Sequence, residues 1–364
     1  MATSRISPLQ MFLLGIPLVN GTVVLFVPSL MATVGGRDGW MAPLLAPLSI
    51  VMLVALLGPL IRRWPDQSFI QVAQSTLGRW VGGLLGAVFS VWAFHTNAII
   101  LRQFGDFIKG TVLIRTPILI VQLLILLAVI WVARAGLEVL ARCAAVLVPI
   151  DALFLMTIVV LGIRESRFQN LLPVLEHGIT PVLRAALIPS AWVSELVCLA
   201  FLWPRLNQPR QGPAVLVSAS IWTSLNLAVG SLIGIATFGP TVAKVTFSLF
   251  AVARVVSIAE FLERIEPLLM IVWVSDNFIK ISVFHYVATE SLRQSLGLRE
   301  RKPLVIPGAA LMLVLAAASL DSTVEMADWL MHVWPLYSPL VTFGIPIIAL
   351  CAGLWRMASR GSRA

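Results

Sequence analysis

The sequence is poor in charge, since Asp, Glu, Lys and Arg make up only 12% of its 364 residues, about half of their usual share in soluble domains. This scarcity excludes a soluble enzyme, because a soluble surface interrupts apolar runs every few positions. Cysteine and histidine are also scarce, with three and four residues and no CxxC or Cys/His spacing. We therefore expect no disulfide framework, no metal site and no cofactor.

Signatures of nucleic-acid binding and of catalysis are missing as well. The formal net charge is +9, but the Lys and Arg residues are scattered singly between apolar runs, without a basic stripe or an aromatic RNA-binding signature. No Ser, His and Asp stand at a spacing typical of a nucleophilic site, and no glycine-rich phosphate loop is present. We expect neither a nucleic-acid partner nor an enzymatic activity.

Apolar residues are abundant: they make up 59% of the chain, and the mean hydropathy is +0.95. This is enough for about ten membrane spans of ~20 residues. The pattern predicts an all-α integral membrane protein in which residues 1–364 form one transmembrane domain in the lipid bilayer. Short surface helices are expected at residues 68–77 and 246–258. The predicted spans cover residues 10–34, 40–61, 80–107, 117–133, 141–163, 186–203, 213–238, 266–287, 304–320 and 329–355.

The distribution of Lys and Arg predicts the orientation of these spans. With the N-terminus inside, about fifteen of these residues fall in inner segments and nine in outer segments. This excess predicts that both termini are cytoplasmic.

Two spans contain helix breakers and small polar residues near mid-bilayer. The first span reads GIPLVNGT over residues 15–22, and the sixth reads IPSAWVSE over residues 188–195. These spans begin the two halves of a ten-helix protein, which predicts two five-helix inverted repeats, residues 8–163 and 184–356, each opening with a broken helix. Unwound backbone frees N–H and C=O groups for a ligand. The predicted ligand-binding residues in and beside the breaks are Asn20, Gly21, Thr22, Val23, Trp192, Ser194, Glu195 and Leu196.

Ionisable residues inside the spans are costly to bury and are usually functional. Asp151, Glu195 and Asp276 fall at a similar depth, together with His95. Lys280 follows Asp276 by four residues, which places both on one helical face, so we expect them to pair. One interpretation is a polar floor under a ligand cavity, in which Glu195 or Asp151 takes an amino group or a proton. The other is a buried charge network of Asp151, Asp276 and Lys280 that holds the helices together.

Simpler interpretations stay open for the other candidates. Pro and Gly can merely kink a membrane helix whose freed groups are satisfied by neighbouring helices. Trp192 either covers a bound ligand or fills the core. His95, a ligand-binding candidate together with Asp276, is better explained by itself as a packing residue than as a proton relay.

Several motifs occur together in an order that resembles one family of membrane proteins. They are ISPLQ at residues 6–10, Gly21-Thr22 followed by Pro28, GRDGW at 36–40, RQFGDF at 102–107, NLLP at 170–173 and EFLERIE at 260–266. Over nearly the whole chain, this combination is similar to the B-subunit family of endospore germinant receptors. That family belongs to the amino acid/polyamine/organocation transporter superfamily, so the resemblance implies a LeuT-type fold with two inverted repeats.

The resemblance also implies a function, that of the ligand-sensing subunit of a receptor in the spore inner membrane. Its partners would be a larger membrane A subunit and a lipid-anchored C subunit, and its ligand would be a small germinant, typically an amino acid. The family's first-span motif usually reads Gly-Thr-Gly, whereas Val23 stands third here. A β-branched residue stiffens the backbone and fills space that glycine leaves open, so a different ligand, or none, is the alternative.

Two other functions are compatible with the sequence. A proton-coupled amino acid permease would use Glu195 or Asp151 as its titrating group. A scaffold subunit would keep the pocket only as a vestige and would hold the complex together.

Overall fold

The computed structural model describes residues 5–256, 265–320 and 322–361, which are almost entirely helical. Short 3₁₀ turns join several of the helices, including the turn Gly36–Met41 after the first. The helices are, in chain order, α1 (Pro8–Gly35), α2 (Ala42–Leu45), α3 (Pro47–Arg63), α4 (Phe69–Leu77), α5 (Arg79–Thr111), α6 (Ile118–Ala135), α7 (Leu137–Glu165), α8 (Thr180–Val193), α9 (Val197–Phe201), α10 (Gly212–Phe238), α11 (Ser248–Val255), α12 (Glu266–Leu296), α13 (Val305–Ser319), α14 (Thr323–His332), α15 (Trp334–Thr342) and α16 (Gly344–Gly361).

Most of the long helices are apolar enough to cross a membrane. Among the described residues, nine helical segments have the necessary length and hydropathy. The first of these, Pro8–Arg63, has 56 residues and contains both α1 and α3, more than twice the ~20 residues of one span. It therefore accounts for two of the ten predicted spans, and the all-α membrane architecture is confirmed.

Both predicted surface segments contain a short helix. The first is α4, which begins with a capping box in which Ser68 and Gln71 each accept a hydrogen bond from the other's backbone N–H. The second is α11. The end of that second segment, Ile258, lies outside the described residues, as do residues 260–264 of the EFLERIE motif.

The start of α1 is held in two ways. Ser7 and Gln10 form a capping box at its first turn. Just before them, the N–H of Ile6 donates to the carbonyl of Arg205 at 2.9 Å, and the carbonyl of Ile6 accepts from the N–H of Asn207 at 3.0 Å. These two hydrogen bonds attach the beginning of the first span to the loop that follows α9.

The first span is not broken, contrary to the expectation from residues 15–22. The helix α1 runs without interruption from Pro8 to Gly35. Gly21 is the only glycine between residues 16 and 34, and a single glycine costs a helix only about 1 kcal/mol. Pro17 removes a single N–H donor. Packing therefore keeps the helix continuous through Gly21, and this part of α1 is wholly buried.

The sixth span is interrupted where the sequence predicts it. The helices α8 and α9 are joined by the 3₁₀ turn Ser194–Leu196. The carbonyl of Ala191, at the end of α8, accepts from the hydroxyl of Ser194 at 2.7 Å and from that of Ser338 at 3.3 Å. Side chains of the turn and of α15 thus satisfy a carbonyl at this break.

The helices α1 and α12 lie at the centre of the assembly. α12 packs against α1, α5, α6 and α7, and α1 also packs against α8 and α10. The two central helices approach closely at Gly21, where a Cβ atom would lie 3.2 Å from Cδ of Lys280 and 3.3 Å from the backbone carbonyl of Asp276. The absence of a side chain at Gly21 thus brings the ionisable part of α12 against α1.

Candidate functional site

Lys280 on α12 is buried at the centre of a group of polar side chains. Its Nζ lies 2.7 Å from Oε2 of Glu195, which belongs to the 3₁₀ turn of the sixth span. The same Nζ donates to Oγ1 of Thr22 at 2.8 Å, and Nε1 of Trp192 donates to that hydroxyl oxygen at 3.1 Å. We call these four residues the Lys280 cluster. Its buried ammonium group faces a buried carboxylate, which is the arrangement that makes both charges tolerable.

The predicted direct ion pair of Lys280 with Asp276 or Asp151 is wrong, although the charge of Lys280 acts on Asp276 at longer range. Among the described residues, the ion-pair partner of Lys280 is Glu195. A pair four residues apart on one helix contributes only about 0.2–0.5 kcal/mol, and the 3₁₀ turn brings the carboxylate of Glu195 directly onto the ammonium group. Asp276, one helical turn away, faces a different space.

That space is a crevice between α1, α7, α10 and α12. Its volume is about 160 Å³, many times the roughly 10–15 Å³ that one water molecule requires. We call it the acidic crevice. Its polar lining residues are Asn20, Asp151, Asn226 and Asp276. Its other lining residues are Phe12, Leu13, Ile16, Val148, Pro149, Ala152, Leu155, Trp222 and Val272.

Neither carboxyl group of the acidic crevice forms an ion pair with a basic side chain among the described residues. The hydroxyl of Ser275 donates to the carboxylate of Asp151 at 2.7 Å. Asp276 is buried and forms no ion pair within the part of the chain that the structure describes. Asn20 is only 3% exposed, and its Oδ1 has no hydrogen-bond partner there. The crevice therefore offers acceptor oxygens to a donor or a cation.

The predicted ligand-binding residues thus fall into two groups. Thr22, Trp192 and Glu195 belong to the Lys280 cluster, whereas Asn20 and Asp276 line the acidic crevice. Asp151, predicted as part of a charge network, lies in the crevice beside Asp276.

The other predicted site residues serve packing in this structure. Gly21 lies at the crossing of α1 and α12, and its carbonyl accepts from Nδ2 of Asn277 at 2.5 Å. His95 packs against Trp329, and its Nδ1 lies 3.0 Å from the hydroxyl of Tyr337. Three predicted site residues remain: Val23, Ser194 and Leu196. All three are buried, and none of them lines the crevice.

Three residues at or beside the crevice are not among the site residues predicted from the sequence. Trp222 and Asn226 stand four residues apart on the seventh span, and Ser275 directly precedes Asp276. An asparagine inside an apolar span, four residues from a tryptophan on the same helical face, is the signal that points to them. No group of three His, Cys, Asp or Glu side chains placed for a metal ion occurs among the described residues.

The fold is that of known transporters. The crystal structure of MhsT in complex with L-phenylalanine superposes with a TM-score of 0.62 at 14% identity, covering 99% of this chain and 100% of that one. A Na⁺-coupled sialic acid symporter in a substrate-bound outward-open state superposes with a TM-score of 0.61 at 10% identity, covering 98% and 76% of the two chains. The chain therefore has the LeuT-type transporter fold.

Relatives with similar sequences are named for spore germination. Spore germination protein KB of Bacillus subtilis (strain 168) is 27% identical, over 99% of this chain and 97% of its own length. Spore germination protein YndE of the same organism is 23% identical, over 97% of this chain and 98% of its own. Residues 5–322 match the family model described as spore germination protein. This chain, an integral membrane protein with a transporter fold, thus belongs to the spore germination protein family.

Proposed function

We propose that this chain is the ligand-sensing subunit of a spore germinant receptor and that a small germinant binds in the acidic crevice. The supporting observation is that the crevice reaches Asn20 Oδ1, which has no hydrogen-bond partner among the described residues, and the carboxyl group of Asp276, which forms no ion pair there. Unsatisfied buried polar groups cost free energy. A ligand that donates hydrogen bonds to them therefore gains affinity.

The helices around the crevice suit a sensing role. α1 and α7 come from the proposed repeat of residues 8–163, and α10 and α12 from the proposed repeat of residues 184–356. A ligand held between the repeats binds one relative arrangement of the helices more tightly than another, and it shifts the population toward that arrangement. This shift is the signal that partner subunits would receive.

The proposed cellular setting is supported by the family and by the distribution of Lys and Arg. In this proposal the protein lies in the spore inner membrane with both termini cytoplasmic, because Lys and Arg are in excess in the inner segments. Its partners are a larger membrane A subunit and a lipid-anchored C subunit. An amino acid is the ligand that the resemblance implies, and its ammonium group suits the acceptor oxygens of the crevice.

A proton-coupled permease is the second candidate. It is favoured by the similarity to a solved symporter and by the carboxyl group of Asp151 in the crevice. Uptake of radiolabelled amino acids into vesicles that contain this chain alone would reveal transport, whereas a sensing subunit produces no accumulation.

Dose–response germination tests the sensing function. Asp276→Asn should raise the half-maximal germinant concentration about tenfold or more, because a hydrogen bond to a charged group contributes roughly 1.5–3 kcal/mol. Asp328→Asn is the matched control, since it makes the same chemical change on a side chain of α14 that is 73% exposed. Subunit levels are checked by immunoblot. An unchanged curve for Asp276→Asn at normal abundance would favour the scaffold function instead.

A further inference from the structure

The acidic crevice has one sign of charge. Two carboxyl groups and the unpartnered oxygen of Asn20 line it, and none of its described lining residues is Lys, Arg or His. Lys280, whose charge acts on Asp276 at longer range, does not line the crevice and already has Glu195 and Thr22 as oxygen partners. A carboxylate on a ligand would therefore meet charges of its own sign and no basic side chain.

The rest of the lining is hydrocarbon. Leu13, Ile16, Leu155 and Val272 form much of the wall, and the half-exposed indole ring of Trp222 stands at its edge. A hydrocarbon wall offers no ligand to a bare inorganic cation, and Ca²⁺ and Mg²⁺, for example, take about six oxygen ligands or more. An ammonium group with a short hydrocarbon body matches both parts of the lining.

From these observations we propose that the acidic crevice binds a small primary amine that carries no carboxylate. The ammonium group lies among Asn20 Oδ1, Asp276 and Asp151, to which it donates its three N–H groups, and the hydrocarbon part lies against the apolar wall. This inference rests on the proposed function for its biological role, and it narrows the germinant from a zwitterionic amino acid to a cation.

Matched pairs of probes test this preference directly. Leucine and 3-methylbutylamine share the same hydrocarbon body and ammonium group and differ by the carboxylate, and so do phenylalanine and 2-phenylethylamine. Each probe is titrated against the purified full-length protein in detergent, and the rise in Tm with concentration gives its Kd, because a ligand of the native state stabilises it. 3-Methylbutan-1-ol serves as the neutral analogue, and NaCl and KCl are titrated as the inorganic cations.

The expected result is a Kd for at least one amine that is about tenfold or more below the Kd of its amino acid. Neither the alcohol nor the salts should reproduce the amine's effect. Asp276→Asn and, separately, Asn20→Ala should weaken the amine by about tenfold, whereas Asp328→Asn should leave its Kd unchanged. The comparison of amine with amino acid uses the unaltered protein, so it stands even where a variant fails to fold.

Three outcomes overturn the proposal. Amino acids that bind as tightly as their amines would show that the carboxylate is accommodated, while the sensing function would stand. Stabilisation by NaCl or KCl alone, lost in Asp276→Asn, would assign the crevice to an inorganic cation. Absence of binding by every amine would remove the cationic ligand. A different result would separate the two proposals. If an amine binds in the crevice but Asp276→Asn spores germinate normally, the sensing function is contradicted and the amine site stands.

Discussion

The Lys280 cluster and the acidic crevice meet α12 one helical turn apart, at Lys280 and at Asp276. They differ in whether a buried charge has a partner of opposite sign. In the cluster, Lys280 meets Glu195 at 2.7 Å and Thr22 at 2.8 Å, so the protein supplies its own partners. In the crevice, Asp276 and Asp151 form no ion pair among the described residues, and the charge of Lys280 acts on Asp276 only at longer range. The first region connects three spans, whereas the second has acceptor oxygens that a ligand can bind.

The largest expected effect comes from opening the Lys280 cluster. Lys280→Met leaves the carboxylate of Glu195 buried without its cation, and removing one member of such a pair costs about 3–5 kcal/mol. We expect a large loss of Tm and of accumulated protein. Adding Glu195→Gln should recover part of the loss, whereas adding Asp276→Asn should not.

Equal recovery by Asp276→Asn and Glu195→Gln would contradict the pairing and would merge the two regions into one charge network. Thermal unfolding of the purified variants, compared with unaltered protein in the same detergent, measures both outcomes.

A smaller effect is expected from forcing the central helices apart. Gly21→Leu places side-chain atoms where a Cβ alone would lie 3.2 Å from Lys280 and 3.3 Å from the backbone of Asp276, and overpacking typically costs about 1–3 kcal/mol. The control is Gly58→Leu on α3, where a Cβ has no neighbour within 4 Å. We expect a lower Tm for the first variant and little change for the second. An equal loss of Tm in both variants would contradict the close approach of α1 and α12.

The smallest effect on stability is expected in the crevice itself. Asp276→Asn keeps the volume of the side chain and removes a buried charge that forms no ion pair among the described residues, so the free energy of unfolding should not fall. Ligand response should fall nonetheless. A loss of Tm as large as that of Lys280→Met would show that Asp276 holds the helices together, as the charge-network hypothesis states.

The sequence predicts the spans well, because apolar runs of this length have no other stable environment. It also predicts that Asp151, Glu195 and Asp276 lie inside spans, by counting residues along each helix, and all three are buried in the structure. The partner of Lys280 does not follow in this way. The spacing of four relates Lys280 to Asp276, whereas Glu195 lies in a different span, and only helix packing brings it near.

The same limit explains the first span. Proline and glycine at Pro17 and Gly21 signal a weak helix, but whether the helix breaks depends on what packs around it. Here Gly21 serves the contact with α12, and the helix stays continuous. In the sixth span, Ser338 of α15 satisfies the carbonyl of Ala191, so the break has a partner that local sequence does not reveal.

The pairing of Ile6 with the loop after α9 restricts how the first and sixth spans can move relative to each other. Its two hydrogen bonds to Arg205 and Asn207, each contributing roughly 0.5–1.5 kcal/mol, connect the first and sixth spans at this end of the molecule. A tilt of α1 that widens the acidic crevice must either move α9 as well or break these two hydrogen bonds. The crevice and the Lys280 cluster, though chemically separate, are therefore mechanically connected through the first residues of the described chain.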